Sequence, residues 1–281
     1  MTRETRRKVS TFFRYFVLIA VGFIMVYPLI WMVGATFKTN NEIFSSVGFI
    51  PRNPTFDGYK NAMKSYGGDI DLVKAMINTY SIVLPKVIFT IVSATVTAYG
   101  FARFEFKGKN LLFAVLMSTL FLPQVVLNVP QYIMFNKFGW INHPLYLALI
   151  VPTMFATDTY FVFMLIQFLR NIPRELEEAA KIDGANAFYR FTHITLPLVK
   201  EVTVLSTLIT TIWTFNDFEM VWILTGGGPS NATQILSTYG YTVGFMNLNL
   251  SRAISSSVAA IPFLIILTTI ITKRMRDSAE S

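Results

Sequence analysis

No cysteine occurs in the 281 residues, which excludes a disulfide framework, thiolate metal sites and a cysteine nucleophile. Histidine is nearly as scarce. His143 and His193 fall on opposite sides of a membrane drawn through the apolar runs below, so a histidine metal pair or a histidine-based triad has no basis. The phosphate loop G-x-x-x-x-G-K-[ST] is missing too, which removes the P-loop route to ATP hydrolysis. The one glycine-rich stretch, Gly226 to Gly228, carries no lysine and reads as a flexible turn. There is no internal repeat and no low-complexity tract, so a transporter made of two fused halves is unsupported. Charge is thin as well, at 14% of residues against 53% hydrophobic, a balance too oily for a soluble domain of this size.

What is present is a set of long apolar runs. A transmembrane helix needs about 20 mostly apolar residues to cross about 30 Å of hydrocarbon. Six stretches qualify: Tyr15 to Thr36, Ile77 to Phe101, Leu111 to Val129, Tyr146 to Leu169, Val202 to Ile223 and Ala253 to Thr272. Lipid-facing backbone has to be helical, so the expected fold class is all-α, a polytopic transmembrane helical bundle of six spans. The first run follows a charged start, as a signal peptide does, but it is longer than an h-region and no A-x-A site follows; it is expected to stay as an uncleaved span.

Lys and Arg set the orientation. Sixteen lie on one side of the runs, among them Arg3, Arg6, Arg7, Lys8, Arg103, Lys107, Arg170, Arg174, Lys181, Lys273 and Arg274; six lie on the other, at Lys38, Arg52, Lys60, Lys64, Lys74 and Lys137. The bias puts both termini in the cytoplasm, and it explains the net charge of +8 without nucleic acid, since no groove-sized basic patch forms. The expected segments are a cytoplasmic N-terminus at 1–14, a first span at 15–36 and an extracytoplasmic loop at 37–76 with a short amphipathic helix around Tyr59 to Lys64. A five-span domain at 77–272 follows, with a cytoplasmic loop at 170–200, and a cytoplasmic C-terminus at 273–281.

That cytoplasmic loop is the most informative part of the chain. Pro173 suits a first helical turn, Glu175, Glu177 and Glu178 complement the positive end of the helix dipole, and Ala179 and Ala180 continue the helix. Asp183-Gly184 offers a turn, a second helix is expected from about Ala187, and Pro197 marks the return to the membrane. The product is a helix–turn–helix knob whose surface combines small residues with carboxylates, open to close approach by another protein and to pairing with its Arg or Lys.

The order Glu178-Ala179-Ala180, three residues, Gly184, nine residues, Ile194-Thr195-Leu196-Pro197 resembles the coupling loop of binding-protein-dependent ABC importer permeases. The resemblance runs from about Tyr15 to Thr272. It implies that Glu178 pairs with an ATPase subunit, that Ala179 and Ala180 form the contact face with Glu177, Lys181 and Asp183 around it, and that Gly184 shapes the loop. Further motifs are similar to the maltose-type carbohydrate branch: Tyr27-Pro28-Leu29, Ala98-Tyr99-Gly100-Phe101-Ala102-Arg103, Ile172-Pro173-Arg174-Glu175-Leu176 and Asn216-Asp217-Phe218. Leu224-Thr225-Gly226-Gly227-Gly228-Pro229 departs from the smaller subunit of that branch and resembles the larger one, and the end at Lys273-Arg274-Met275-Arg276 is expected to lack the smaller subunit's glycine-rich tail.

The resemblance further implies a second homologous permease, an ABC ATPase dimer, an extracytoplasmic solute-binding protein and a bacterial or archaeal cell membrane. No cofactor is expected on this chain, ATP being used by the partner ATPase. A sugar path needs hydrogen-bonding side chains beside aromatic platforms, and Trp213, Asn216, Asp217, Asp158 and Lys86 are candidates for it, with Tyr160 and Asn128 as additions. Charges inside spans are costly and face a bundle interior or wet cavity, so Lys86 and Asp158 either line the pathway or brace the helices. The alternatives are the same machine carrying glycerol phosphate or another polar solute, a polytopic membrane enzyme, and a scaffold without transport.

Overall fold

The computed structural model describes residues 3–141 and 143–279, with the side chains of 3–10, 271 and 274–279 left aside. Among the described residues fifteen α-helices follow one another: α1 Arg3–Ala35, α2 Asn40–Ser45, α3 Asp57–Ala62, α4 Leu72–Arg103, α5 Lys109–Thr119, α6 Gln124–Lys137, α7 Leu147–Ile150, α8 Thr159–Asn171, α9 Glu175–Ile182, α10 Ala187–Arg190, α11 Leu196–Leu198, α12 Lys200–Phe215, α13 Phe218–Leu224, α14 Leu236–Tyr241 and α15 Leu250–Ala279. By length and composition four helical stretches can cross a membrane: Thr11–Ala35, Leu72–Arg103, Leu147–Asn171 and Leu250–Ile270. Two bent pairs, Lys109–Thr119 with Gln124–Lys137 and Ala187–Leu198 with Lys200–Phe215, make six if each is one span.

Three of the expected spans are therefore not straight rods. Leu111 to Val129 straddles a bend of 105° between α5 and α6. Pro123 has no N–H to continue a helix and is itself extended, and α5 closes in tight turns, Leu120 N–H to Met117 O and Phe121 N–H to Ser118 O, both 3.2 Å. Tyr146 to Leu169 breaks after a 3₁₀ turn at Val151–Phe155, where Ala156 takes φ 53°, and α8 begins only at Thr159. Val202 to Ile223 breaks at Asn216-Asp217. The Asn216 amide donates to Ile212 O at 2.9 Å, and Asp217 Oδ1 accepts from Met220 N–H at 3.4 Å, so two short polar side chains end one helix and start the next.

The chain divides into two compact units, Met1–Ser65 with Tyr239–Ile261, and Tyr66–Thr238 with Pro262–Ser281. In the second, Ala94, Ala98 and Ala102 recur every fourth residue along α4 and let α8 pack closely through Phe161, Val162, Leu165, Ile166 and Leu169, all fully buried. A second cluster joins Ile82 of α4 to Phe135, Ala148, Leu149, Val221 and Leu224. This is where the bundle's core lies.

In the first unit the expected loop at 37–76 is more ordered than its Asn, Gly and Pro content suggests, since it includes α2 as well as α3. Lys38 is fully buried and donates to Gly48 O and to Ser46 O, while Ser251 Oγ donates to Lys38 O at 2.9 Å. Lys38 thus pins the segment instead of reaching water. Lys38→Met leaves those carbonyls unsatisfied and is expected to destabilise the unit by about 1–3 kcal/mol. Loss of thermal stability of the purified chain in detergent measures it, and an unchanged melting temperature refutes it.

Candidate functional site

The knob forms as its residues dictate. Glu175, Glu177 and Glu178 occupy the first turn of α9, with Arg174 at its N-cap and Pro173 one residue earlier still. Gly184 takes φ 89°, a conformation side chains disfavour, and the turn closes with Asp183 N–H to Ala179 O at 3.0 Å and Ala185 N–H to Ala180 O at 2.9 Å. Asn186 then caps α10 by accepting from Tyr189 N–H at 2.8 Å. Glu178, Ala179, Lys181, Asp183 and Gly184 are exposed, and Ala180 is half-buried. Ile182 and Phe188, which sequence reasoning passed over, project from the same knob at 87% and 75% exposure.

Glu177 corrects the expectation that it belongs to that face. It is buried and turned inward: its Oε1 lies 2.9 Å from Arg103 Nε and accepts from the Thr195 hydroxyl at 2.9 Å, and its Oε2 accepts from Tyr99 at 3.4 Å. Both terminal nitrogens of Arg103 donate to Ile172 O at 3.2 Å. The last turn of α4 therefore holds the entry to the knob through Ile172, its first helix through Glu177 and its return through Thr195. The one sequence signal for this is a basic residue closing an apolar span, a pattern that the positive-inside bias produces as well. Nearby, hydrogen bonding and charge from Lys109, and the charge of Arg174 to a lesser degree, hold the exposed Glu105 carboxyl below the usual carboxylate range.

About 25 Å farther along α4, at about 1.5 Å per residue, Lys86 enters the wall of a cavity. The cavity measures about 870 Å³ and is lined from α4, α5, α6, the break before α8, α12 and α13. Lys86, Asp158, Asp217 and Trp213 line it, and so do Asn128 and Tyr160. Asn216 does not; its amide is spent on its own helix. Lys86 Nζ and Asp217 Oδ2 pair at 2.7 Å, the Asn128 amide donates to Glu219 Oε1 at 2.7 Å, and the Tyr160 and Trp213 rings sit 6.0 Å apart. Asp158 lies in the middle of the stretch Leu147–Asn171, as expected, and stands there at the N-cap of α8. Thr210 and Gln131, missed in the sequence, line the cavity with Oγ1 and Oε1 that find no partner among the described residues. Polar groups beside aromatic faces suit a ligand of hydroxyls and C–H surfaces.

Broken apolar helices around a cavity that sets polar groups in a mainly apolar wall, joined by a buried ionic contact to an exposed helix–turn–helix, define a multi-pass membrane transport subunit. The chain belongs to the family of inner membrane components of binding-protein-dependent transport systems, which matches residues 90–278. It is 32% identical over 198 residues to the galactooligosaccharides transport system permease protein GanQ of Bacillus subtilis, covering 70% of this chain and 68% of that one. To the diacetylchitobiose uptake system permease protein NgcG of Streptomyces coelicolor it is 28% identical, over 77% of this chain and 72% of that one. The fold is similar to a crystal structure of a bacterial ABC transporter involved in the import of the acidic polysaccharide alginate, with a TM-score of 0.78 at 16% identity over 97% of this chain and 98% of that chain.

Proposed function

We propose that this chain forms half of the translocation pathway of an ABC importer for a carbohydrate, an oligosaccharide, with its knob docked on an ATPase. The observation that carries this is the Arg103–Glu177 join, which ties the exposed knob to the same helix that walls the cavity. Glu178 and Ala179 meet the ATPase, Ala180, Lys181, Asp183 and Gly184 shape the contact, and Ile182 and Phe188 fill its apolar part. The substrate class is supported by the names of the relatives, which transport galactooligosaccharides and diacetylchitobiose. Trp213, Tyr160, Asn128, Asp158, Lys86 and Asp217 line the path.

A second permease completes that path, an extracytoplasmic binding protein delivers the sugar, and an ATPase dimer consumes the ATP that this chain does not bind. Closure of the ATPases moves α9, and α4 carries the displacement to the cavity. The basic bias supports a cytoplasmic knob and cytoplasmic termini. Because the chain has no cysteine, Ile182→Cys offers one thiol for a membrane-impermeant maleimide. It is expected to react in inside-out vesicles and not in intact cells, and to be protected once the ATPase is bound. Labelling from outside overturns the topology; labelling undiminished by a bound ATPase overturns the docking.

A further inference from the structure

Lys86 is the one cation lining the cavity among the described residues, beside the carboxylates of Asp158, Asp217 and Glu219. Its ammonium charge is already paired. Lys86 is 6% exposed, its Nζ is 2.7 Å from Asp217 Oδ2, and its other neighbour is Met220 Sδ at 3.7 Å. Asp217 is committed at both oxygens, the second capping α13. Glu219 is met by the neutral amide of Asn128. An anion entering here finds the one cation already paired, and Asp158 and Glu219 without a cationic partner among the described residues.

An uncharged sugar finds the opposite. The carboxylates of Asp158 and Glu219 can accept hydroxyl hydrogen bonds, Trp213 and Tyr160 offer apolar faces, and the hydroxyl of Thr210, 3% exposed and without a partner among the described residues, is left for a guest or a water to satisfy. Recognition of carboxylate or phosphate calls for free Arg or Lys.

We propose that Asp217 sets the charge selectivity of this pathway: by holding Lys86 it denies the cavity a free cation, so the path takes uncharged oligosaccharides and rejects uronates and sugar phosphates. This rests on the carbohydrate reading above and names the substrate class within it.

The natural absence of cysteine supplies the test, with Leu127→Cys at the cavity wall as a single reporter in membrane vesicles. Its rates with the cationic reagent MTSET and the anionic MTSES, each divided by the rate with free cysteine, read the local field. The cation is expected to be favoured by about fivefold or more. Asp217→Asn keeps the helix cap and frees Lys86, and is expected to bring the ratio close to one; adding Lys86→Gln restores the preference. Leu116→Cys is a second reporter should the first not fold. Equal rates in the parent chain, or a ratio that Asp217→Asn leaves alone, overturn the proposal. Uptake by the assembled importer of maltotriose against trigalacturonate separates the two levels. No neutral oligosaccharide transported removes the carbohydrate function while the labelling result stands, and uptake of both sugars removes only the charge selectivity.

Discussion

Glu178→Arg is expected to abolish substrate-stimulated ATP hydrolysis and uptake while leaving the fold intact. Glu178 is exposed on α9, and exposed substitutions away from special contacts change stability by about 0.5 kcal/mol or less. At a protein interface the same change is far larger, because truncating or reversing one partner of a desolvated charge pair costs about 2–5 kcal/mol. That corresponds to a loss of ATPase affinity of at least about 30-fold. The measurement is copurification of the ATPase with the permease, beside a melting curve of the permease alone. A variant that melts like the parent but no longer retains the ATPase is the expected result; one that retains it and transports at the parent rate removes Glu178 from the contact.

Glu177→Gln, one residue away, is expected to do the reverse. The amide keeps the shape of the carboxylate but strips the compensating charge from Arg103, whose side chain is 5% exposed. Removing one partner of a buried ion pair costs about 3–5 kcal/mol, a large share of the net stability of any domain. The chain is expected to melt several degrees lower, and the surviving folded fraction to bind the ATPase yet hydrolyse ATP without moving sugar, since α9 is no longer fixed to α4. Arg103→Lys is the milder version: it keeps the charge and loses the two bonds to Ile172 O. The idea is sunk if Glu177→Gln has parent stability and the parent ratio of sugar moved to ATP spent.

These neighbouring carboxylates also show what the sequence could and could not convey. The order Glu178-Ala179-Ala180, Gly184, Ile194, Leu196-Pro197 located the knob and its turn, because local chemistry dictates both. It could not separate Glu177 from Glu178, since the difference lies in Arg103, far away in the chain. The apolar runs were legible for the same reason that their breaks were not: a window of mean hydropathy reads through Pro123, Ala156 and Asn216-Asp217, each of which acts at a single bond or side chain. In the cavity, the expense of a charge in hydrocarbon singled out Lys86, Asp158 and Asp217. The pairing of Lys86 with Asp217 depends on contacts between distant helices, and Asn216, equally polar and adjacent, turns to its own helix.

The eight residues of α9 present their socket on one side and their open face on the other. Such a division makes the helix an exchangeable adapter. With the docking proposed above, side chains on the open face are free to change, by drift or by design, to suit a different motor protein while the wiring beneath stays untouched. A handful of outward residues would then rewire the permease to a new engine, with no need to rebuild the machine they drive.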